Sequence, residues 1–347
     1  MTTTTTTTSP KPTLSPNQSF ATAAAAKAFL PTRDFGAHKW GVGGLIVVAG
    51  SPSYPGAAIL TTRAAGRAGA GIVLLATGRG VIGATASAVP EVAHIPLPET
   101  DAPGAARRAM EYIEEHLEKA KAILVGPGLG RDAAAGELLS ALFALGTKRE
   151  AERRRHNIGF ASASQAAAAE KEEVTPSTSA FFQRDDLTVV VDADALNWLA
   201  DQGEWWTSLP VGRLVLTPHV GEFAKLTGKT ADEIIADPLG ELEDAARTWK
   251  QTVVLKYGYT AASDGTTTVV AEDAPLSLAT AGSGDVLAGT IAGLAAQGLS
   301  GLDAATVALH VGPAAARAVE ERFGTLGLIA TDLPDAIANQ LAGLARS

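Results

Sequence analysis

Leu45-Ile46-Val47-Val48 is followed by Gly50-Ser51-Pro52-Ser53-Tyr54-Pro55-Gly56-Ala57, an alanine-rich run to Ala70, and then Ile72-Val73-Leu74-Leu75. The two apolar runs are short, β-branched and free of polar alternation, which marks strands buried on both faces. The segment between them, Ala57–Ala70, reads as a helix. A strand, a helix and a second such strand make a parallel crossover unit. The pattern continues along the chain. Ala122-Ile123-Leu124-Val125 precedes a helix over roughly 132–145, and Thr188-Val189-Val190-Val191 one beginning near Ala195. Leu214-Val215-Leu216 precedes another at Gly221, and Val253-Val254-Leu255 leads to a hairpin over Ala261–Val270 turning at Asp264-Gly265. Residues 284–345 read as mostly helical. The expected fold is α/β: a doubly wound, mainly parallel sheet sandwiched by helices.

Composition sets outer bounds. Of 347 residues, 46% are hydrophobic, ample for a large core. The formal net charge of −9 argues against nonspecific nucleic-acid binding. Without cysteine there is no disulfide, thiolate nucleophile or Cys-ligated zinc. The Thr-rich start lacks the basic and apolar regions of an export signal, and Ala21–Leu30 is too short to span a bilayer. A soluble, cytoplasmic protein with no membrane partner is expected. Residues 1–34 read as a disordered, low-complexity segment and 35–347 as one domain. Within that domain, 147–186 reads as a solvated surface insertion carrying basic and Ala/Glu-rich runs.

The chemistry-bearing motifs fall at the carboxyl ends of the strands, where ligands of doubly wound sheets bind. They are Gly50–Ala57, Gly126-Pro127-Gly128-Leu129-Gly130, Asp192-Ala193-Asp194-Ala195-Leu196-Asn197, Thr217-Pro218-His219-Val220-Gly221-Glu222 and Lys256-Tyr257-Gly258-Tyr259-Thr260. Leu278-Ala279-Thr280-Ala281-Gly282-Ser283-Gly284-Asp285 runs a small-residue loop into a helix. Its backbone amides and helix dipole suit an anion such as phosphate, and a carboxylate sits at the same point. An ordinary loop with an Asp cap is the bland reading of that stretch taken alone. Gly228-Lys229-Thr230 is no P-loop, because Phe223 stands where glycine is needed, and Gly126–Gly130 lacks the dinucleotide spacing. His219 and Glu222 read as a ligand donor and a neighbour of hydrated magnesium, in preference to half of a direct metal site. Ala57 and Gly130 are explained equally well by close packing of helix on strand.

As an ordered set over roughly 35–345, these motifs resemble the ADP-dependent NAD(P)H-hydrate dehydratases of the ribokinase-like superfamily. Gly-Ser-Gly-Asp is shared with small-molecule kinases of that superfamily, whereas the Asp192–Asn197 and Thr217–Glu222 elements point to the dehydratases. The resemblance implies a repair lyase that restores NADH and NADPH from their hydrates, NADHX and NADPHX, converting ADP to AMP and phosphate. ATP is the alternative co-substrate, and Mg2+ is the implied ion. It implies that Asp285 is the catalytic base and that the amides of Gly282, Ser283 and Gly284 bind the transferring phosphate. Ala57, Gly130, His219 and Asp285 would contact the hydrated dinucleotide. Lys256, Tyr257, Gly258, Tyr259, Thr260 and Gly284 would hold the adenosine nucleotide. Asn197 and Glu222 would support the site or face magnesium-bound water, with no direct protein ligand to the metal. The family usually has Lys-Gly-x-x-Thr near Lys256, whereas Tyr257 intervenes here. A homotetramer is implied, and epimerisation of the hydrate is expected from a separate protein. A vitamin-precursor kinase and a non-catalytic nucleotide sensor are the competing readings.

Overall fold

The computed structural model describes residues 11–98, 104–145 and 180–347. Ten strands form one sheet: β1 (Gln18–Phe20), β2 (Gly44–Val48), β3 (Ile72–Gly78), β4 (Ala93–Leu97), β5 (Ala120–Val125), β6 (Thr188–Val191), β7 (Leu214–Leu216), β8 (Thr252–Leu255), β9 (Ala261–Ser263) and β10 (Thr268–Val270), in spatial order β1-β10-β9-β8-β7-β6-β5-β2-β3-β4. All neighbours pair in parallel except β9, which is antiparallel to both β8 and β10. The expected hairpin is thus the sole reversal in the sheet.

The strands carry apolar side chains at successive positions because both faces are covered. Leu45, Val47, Leu124, Val190 and Val215 join one core with α3 (Pro55–Arg67), α11 (Ser283–Ala295), α12 (Gly301–Phe323) and α13 (Leu333–Arg346). Their alternates Ile46, Val48, Ile123, Val189 and Leu214 join the other. There they meet α5 (Ala105–Leu117), α6 (Ala133–Phe143), α7 (Asp194–Ala200), α8 (Val220–Thr227) and α10 (Pro238–Trp249). The two-residue period of a strand divides one apolar run between two cores. Shorter helices α1 (Ala23–Ala28), α2 (Lys39–Val42), α4 (Arg79–Ala88) and α9 (Ala231–Ala236) complete the described elements.

Two expectations are corrected. The segment to residue 34 is not unstructured throughout: Gln18–Phe20 pairs with Thr268–Val270, and Ala21 and Ala26 are fully buried. Backbone pairing with an exposed sheet edge supplies the order that its composition does not, and Asn17 and Gln18 also donate to Glu243 Oε1 at 3.1 and 2.8 Å. The expected surface insertion lies mostly outside the described residues, but its end returns to the core before residue 186. Phe181 is fully buried and the ring of Phe182 lies tilted against Phe143, while Arg184 donates to the carbonyls of Leu117, Glu118 and Ala120 where α5 passes into β5. Strand β4 and its flanking helices α4 and α5 add a crossover beyond those expected. Among the described residues no helix is long and apolar enough to cross a membrane.

Candidate active site

Strands β5, β6, β7 and β8 end side by side, so their following loops converge on one point. After β6, Asp192 is buried and accepts from Thr217 Oγ1 at 2.7 Å and Lys256 Nζ at 2.8 Å, both on Oδ1. Ala193 then takes φ 53° and ψ −116°, a strained conformation for a residue with a Cβ. That reversal turns Asp194 toward the β5 loop, where it accepts from Gly130 N at 2.9 Å and Arg131 Nε at 3.1 Å. Gly126 makes the approach feasible: a Cβ there would stand 1.9 Å from the Asp192 carbonyl oxygen. The two loops therefore lock each other.

Thr217–Glu222 is a capping device built around an imidazole. His219 Nδ1 accepts from Gly221 N at 2.9 Å and Glu222 N at 3.3 Å, while Glu222 Oε2 accepts from His219 N at 3.0 Å. This is a capping box with histidine as the N-cap. A Cβ on Gly221 would meet the ring at 2.9 Å. Because Nδ1 accepts, the neutral ring carries its proton on Nε2. Burial and then Lys256 hold the His219 pKa below the ordinary value, keeping it neutral. Its Nε2 is 3.5 Å from Glu222 Oε1.

The acids are poised by burial. Glu222 is pushed up to about 7, chiefly by desolvation against the charge of Lys256. Asp285 is likewise pushed up to about 7 by desolvation and then by Asp192, with Lys256 opposing. Burial alone would lower Lys256, but Asp192, Glu222 and Asp285 hold it above its ordinary value. One ammonium thus serves several carboxylates, with Asp192 as its direct partner.

Gly282 caps α11 at φ +89°, which favours glycine, and places Asp285 in the helix's first turn. A side chain at 282 would also meet Leu60 Cδ1 at 2.5 Å. Of the three amides expected to bind phosphate, that of Ser283 turns back to Thr280 O at 3.3 Å. Its hydroxyl donates to Leu278 O and Thr280 O at 2.7 and 2.9 Å. No such backbone bond engages the amides of Gly282, Gly284 or Asp285 among the described residues.

A cavity of about 360 Å³ opens beside this turn. Lys256, Tyr257, Gly258, Thr260 and Gly284 line it, with an apolar wall from α11, α12 and α13 that includes Leu287, Leu309 and Leu333. Tyr259 differs from expectation. With Tyr257, Pro238, Leu239 and Val270 it lines a separate, smaller cavity. Asn197 is held in a supporting place: its Oδ1 accepts from Lys225 Nζ at 2.7 Å and its Nδ2 donates to Ala193 O at 3.0 Å, so it braces α7 against α8. Ala57 stands in the first turn of α3, packed closely against Gly128, where a Cβ would be 2.8 Å from it. Sequence reasoning assigned no role to Asp192, Asp194 or Thr217. Their positions inside two quoted motifs were the available signal.

A doubly wound, mainly parallel sheet with a buried acid in the first turn of a helix beside the strand ends is the arrangement of the ribokinase-like fold. The sequence model of the NAD(P)H-hydrate dehydratase family matches residues 45–147 and 169–339, and the chain belongs to that family. It is 31% identical over 334 residues to the ADP-dependent (S)-NAD(P)H-hydrate dehydratase of Xanthomonas campestris pv. campestris, covering 95% of this chain and 99% of that one. It is 36% identical over 327 residues to the bifunctional NAD(P)H-hydrate repair enzyme of Salinibacter ruber, covering 91% of this chain but 51% of that one. The chain thus spans about half the length of such bifunctional relatives. In fold it resembles the Bacillus subtilis ADP/ATP-dependent NAD(P)H-hydrate dehydratase co-crystallised with ATP/Mg2+, at TM-score 0.69 and 22% identity over 95% of this chain and 99% of that one. A ribokinase-like protein of Enterococcus faecalis superposes at TM-score 0.76 with 19% identity, covering 97% and 100%.

Proposed function

We propose that this chain dehydrates the hydrated nicotinamide of NADHX and NADPHX, using ADP and releasing AMP and phosphate. The observation that carries the reading is Asp285. Its carboxylate is raised to about 7 in the first turn of α11, beside unengaged amides and next to Lys256. A base with that affinity can accept a proton from an attacking hydroxyl near neutral pH.

Hydroxide leaves poorly, so direct elimination from the hydrate has a high barrier. In this reading the ring hydroxyl attacks the terminal phosphorus of ADP. The new O–P bond forms as the bond to AMP breaks, and Asp285 takes the hydroxyl proton. The lone pair of the ring nitrogen then expels phosphate, and loss of a neighbouring carbon-bound proton restores the reduced ring. The amides of Gly282, Gly284 and Asp285 stabilise the moving phosphoryl group by roughly 3 kcal/mol per well-placed donor. His219 Nε2–H donates to the hydrated dinucleotide, whose contacts also include Ala57 and Gly130. Lys256, Tyr257, Gly258 and Thr260 face the adenosine nucleotide, with ATP as the alternative to ADP.

Magnesium fits as a hydrated ion carried on nucleotide phosphates. Among the described residues no three His, Cys, Asp or Glu side chains are grouped to enclose a metal, and Lys256 and Thr217 already occupy Asp192 Oδ1. When bound, the ion offsets phosphate charge. The proposal includes a homotetramer and a cytoplasmic setting, each by family likeness.

The test is recovery of reduced-nicotinamide absorbance from hydrated NADPH with ADP or ATP. Asp285→Asn is expected to abolish recovery while leaving dinucleotide affinity largely intact. Retained turnover would remove Asp285 from this role. A phosphorylated vitamin precursor, with no recovery from the hydrate, would favour the kinase.

A further inference from the structure

The chain between β10 and α11 runs along one side of the cavity beside Lys256. Asp273, Ala274, Pro275, Leu276 and Leu278 line that side. The segment carries no strand or α-helix, only a three-residue helical turn at Leu276–Leu278. Its own hydrogen bonds are local: Leu278 N donates to Pro275 O and Ala279 N to Leu276 O, both at 3.1 Å. Such bonds shape the turn without fixing where it stands. The two ends are fixed separately. Ala271 N donates to Thr260 O at 2.9 Å, and Ser283 Oγ donates to Leu278 O at 2.7 Å. The large side chain at the middle, Leu276, is 65% exposed, so its burial adds little.

Between those ends, a side chain of α12 supplies a forked tie. Arg317 Nε donates to Asp273 Oδ2 at 2.6 Å and Nη2 to Asp273 Oδ1 at 2.8 Å, while Nη1 donates to Glu320 Oε2 at 2.8 Å. All three guanidinium nitrogens are engaged, in a planar arrangement that an ammonium cannot reproduce. The pairing acts on charge as well. Asp273 lines a cavity whose proposed ligand is an anion, and a bare carboxylate there would repel it. Hydrogen bonds from Arg317 hold the Asp273 carboxyl below the usual carboxylate range, and the guanidinium offsets its charge. The two side chains are 37% and 41% exposed, so the pair adds little to global stability. Its effect falls on the cavity wall.

We propose that Arg317 is a positioning residue for nucleotide binding: through Asp273 it fixes and neutralises the 271–279 wall without itself lining the cavity. The inference rests on the reading that this cavity takes the adenosine nucleotide. Without the fork, the wall must be ordered each time a nucleotide binds, and that ordering lowers affinity. Ser283 anchors the far end of the segment independently, so the Gly282–Asp285 turn keeps its place and the chemical step is unchanged.

Titration calorimetry, thermal melts and steady-state kinetics on the full chain test it. Arg317→Lys keeps the charge and loses the fork, and should weaken ADP binding about threefold; Arg317→Met loses both, and should weaken it about tenfold. In both variants NADP+ affinity and kcat at saturating ADP should stay within about twofold of wild type, and Tm within about 2 °C. Asp273→Asn loosens the same fork without leaving a bare carboxylate, and should weaken ADP binding less than Arg317→Met. Unchanged ADP binding in Arg317→Lys and Asp273→Asn overturns the proposal, even where Arg317→Met does not fold. So does a parallel loss of ADP and NADP+ binding with a large fall in Tm, which marks a purely structural ion pair. A wild-type chain that does not bind ADP overturns this inference and the nucleotide reading together. Arg317-dependent ADP binding without turnover of hydrated NADPH upholds the positioning role and removes the dehydratase reading alone.

Discussion

Asp285 and Glu222 carry the sharpest residue-level predictions, because burial raises both toward neutrality by different routes. The proposed base role requires Asp285 ionised, so kcat/KM should climb as pH rises through about 7 and then level off. A profile flat between pH 5 and 8 would contradict that role. Glu222 affects stability. Its folded pKa of about 7 exceeds the ordinary 4.5, so the folded state binds more protons across that window. Its contribution is fully present below the unfolded value and is lost as pH rises through the folded one. Glu222→Gln keeps an acceptor for His219 N but cannot ionise. Its Tm should match wild type near pH 5 and exceed it near pH 8. At full ionisation the gain is of order 3 kcal/mol. A Tm difference that does not grow with pH would remove the buried charge as its cause.

Among the elements, α3 and α11 set the position of the Gly282–Asp285 turn. They pack through small residues: a Cβ on Gly289 would stand 2.3 Å from Thr61 O and 3.0 Å from Ala64 Cβ. Gly289→Ala should therefore push the helices apart and cost about 1–3 kcal/mol. Because Gly282 and Asp285 ride on α11, kcat should fall along with Tm. A variant that loses stability but keeps wild-type kcat would show that the turn is positioned independently of this contact. The loops after β5 and β6 form a similar unit, since Gly126 gives Asp192 room and Asp194 holds the Gly130 amide. Strain at Ala193 is sustained by this mutual locking.

Across the whole molecule, the two sheet edges are treated differently. Strand β1 covers the edge of β10, and Ala21 N donates to Val270 O at 2.8 Å. Deleting residues 1–22 bares that edge. It should lower Tm by roughly 3 °C or more and promote concentration-dependent association. Light scattering with thermal melts checks both outcomes, and an unchanged, monodisperse melt would show that β1 adds nothing to stability. The sheet order places one cavity on each flank of the acidic centre.

The central parallel strands and the covering of both sheet faces were legible in the residues, because a strand buried on both sides must be apolar throughout. The motifs at the strand ends were legible too, since glycines and acids interrupt apolar patterns only where a loop needs them. Strand β1 was not, because its order comes from pairing with β10, some 250 residues away, and not from its own composition. The same holds for Phe181 and Phe182, which gain their burial from α6 and its neighbours. The roles within the site also depended on folding. His219 became a helix cap with its ring proton on Nε2, Asn197 a brace, and Tyr259 part of the wall of a separate cavity. Hydrogen-bond direction and burial arise from distant segments brought together, and no local pattern encodes them.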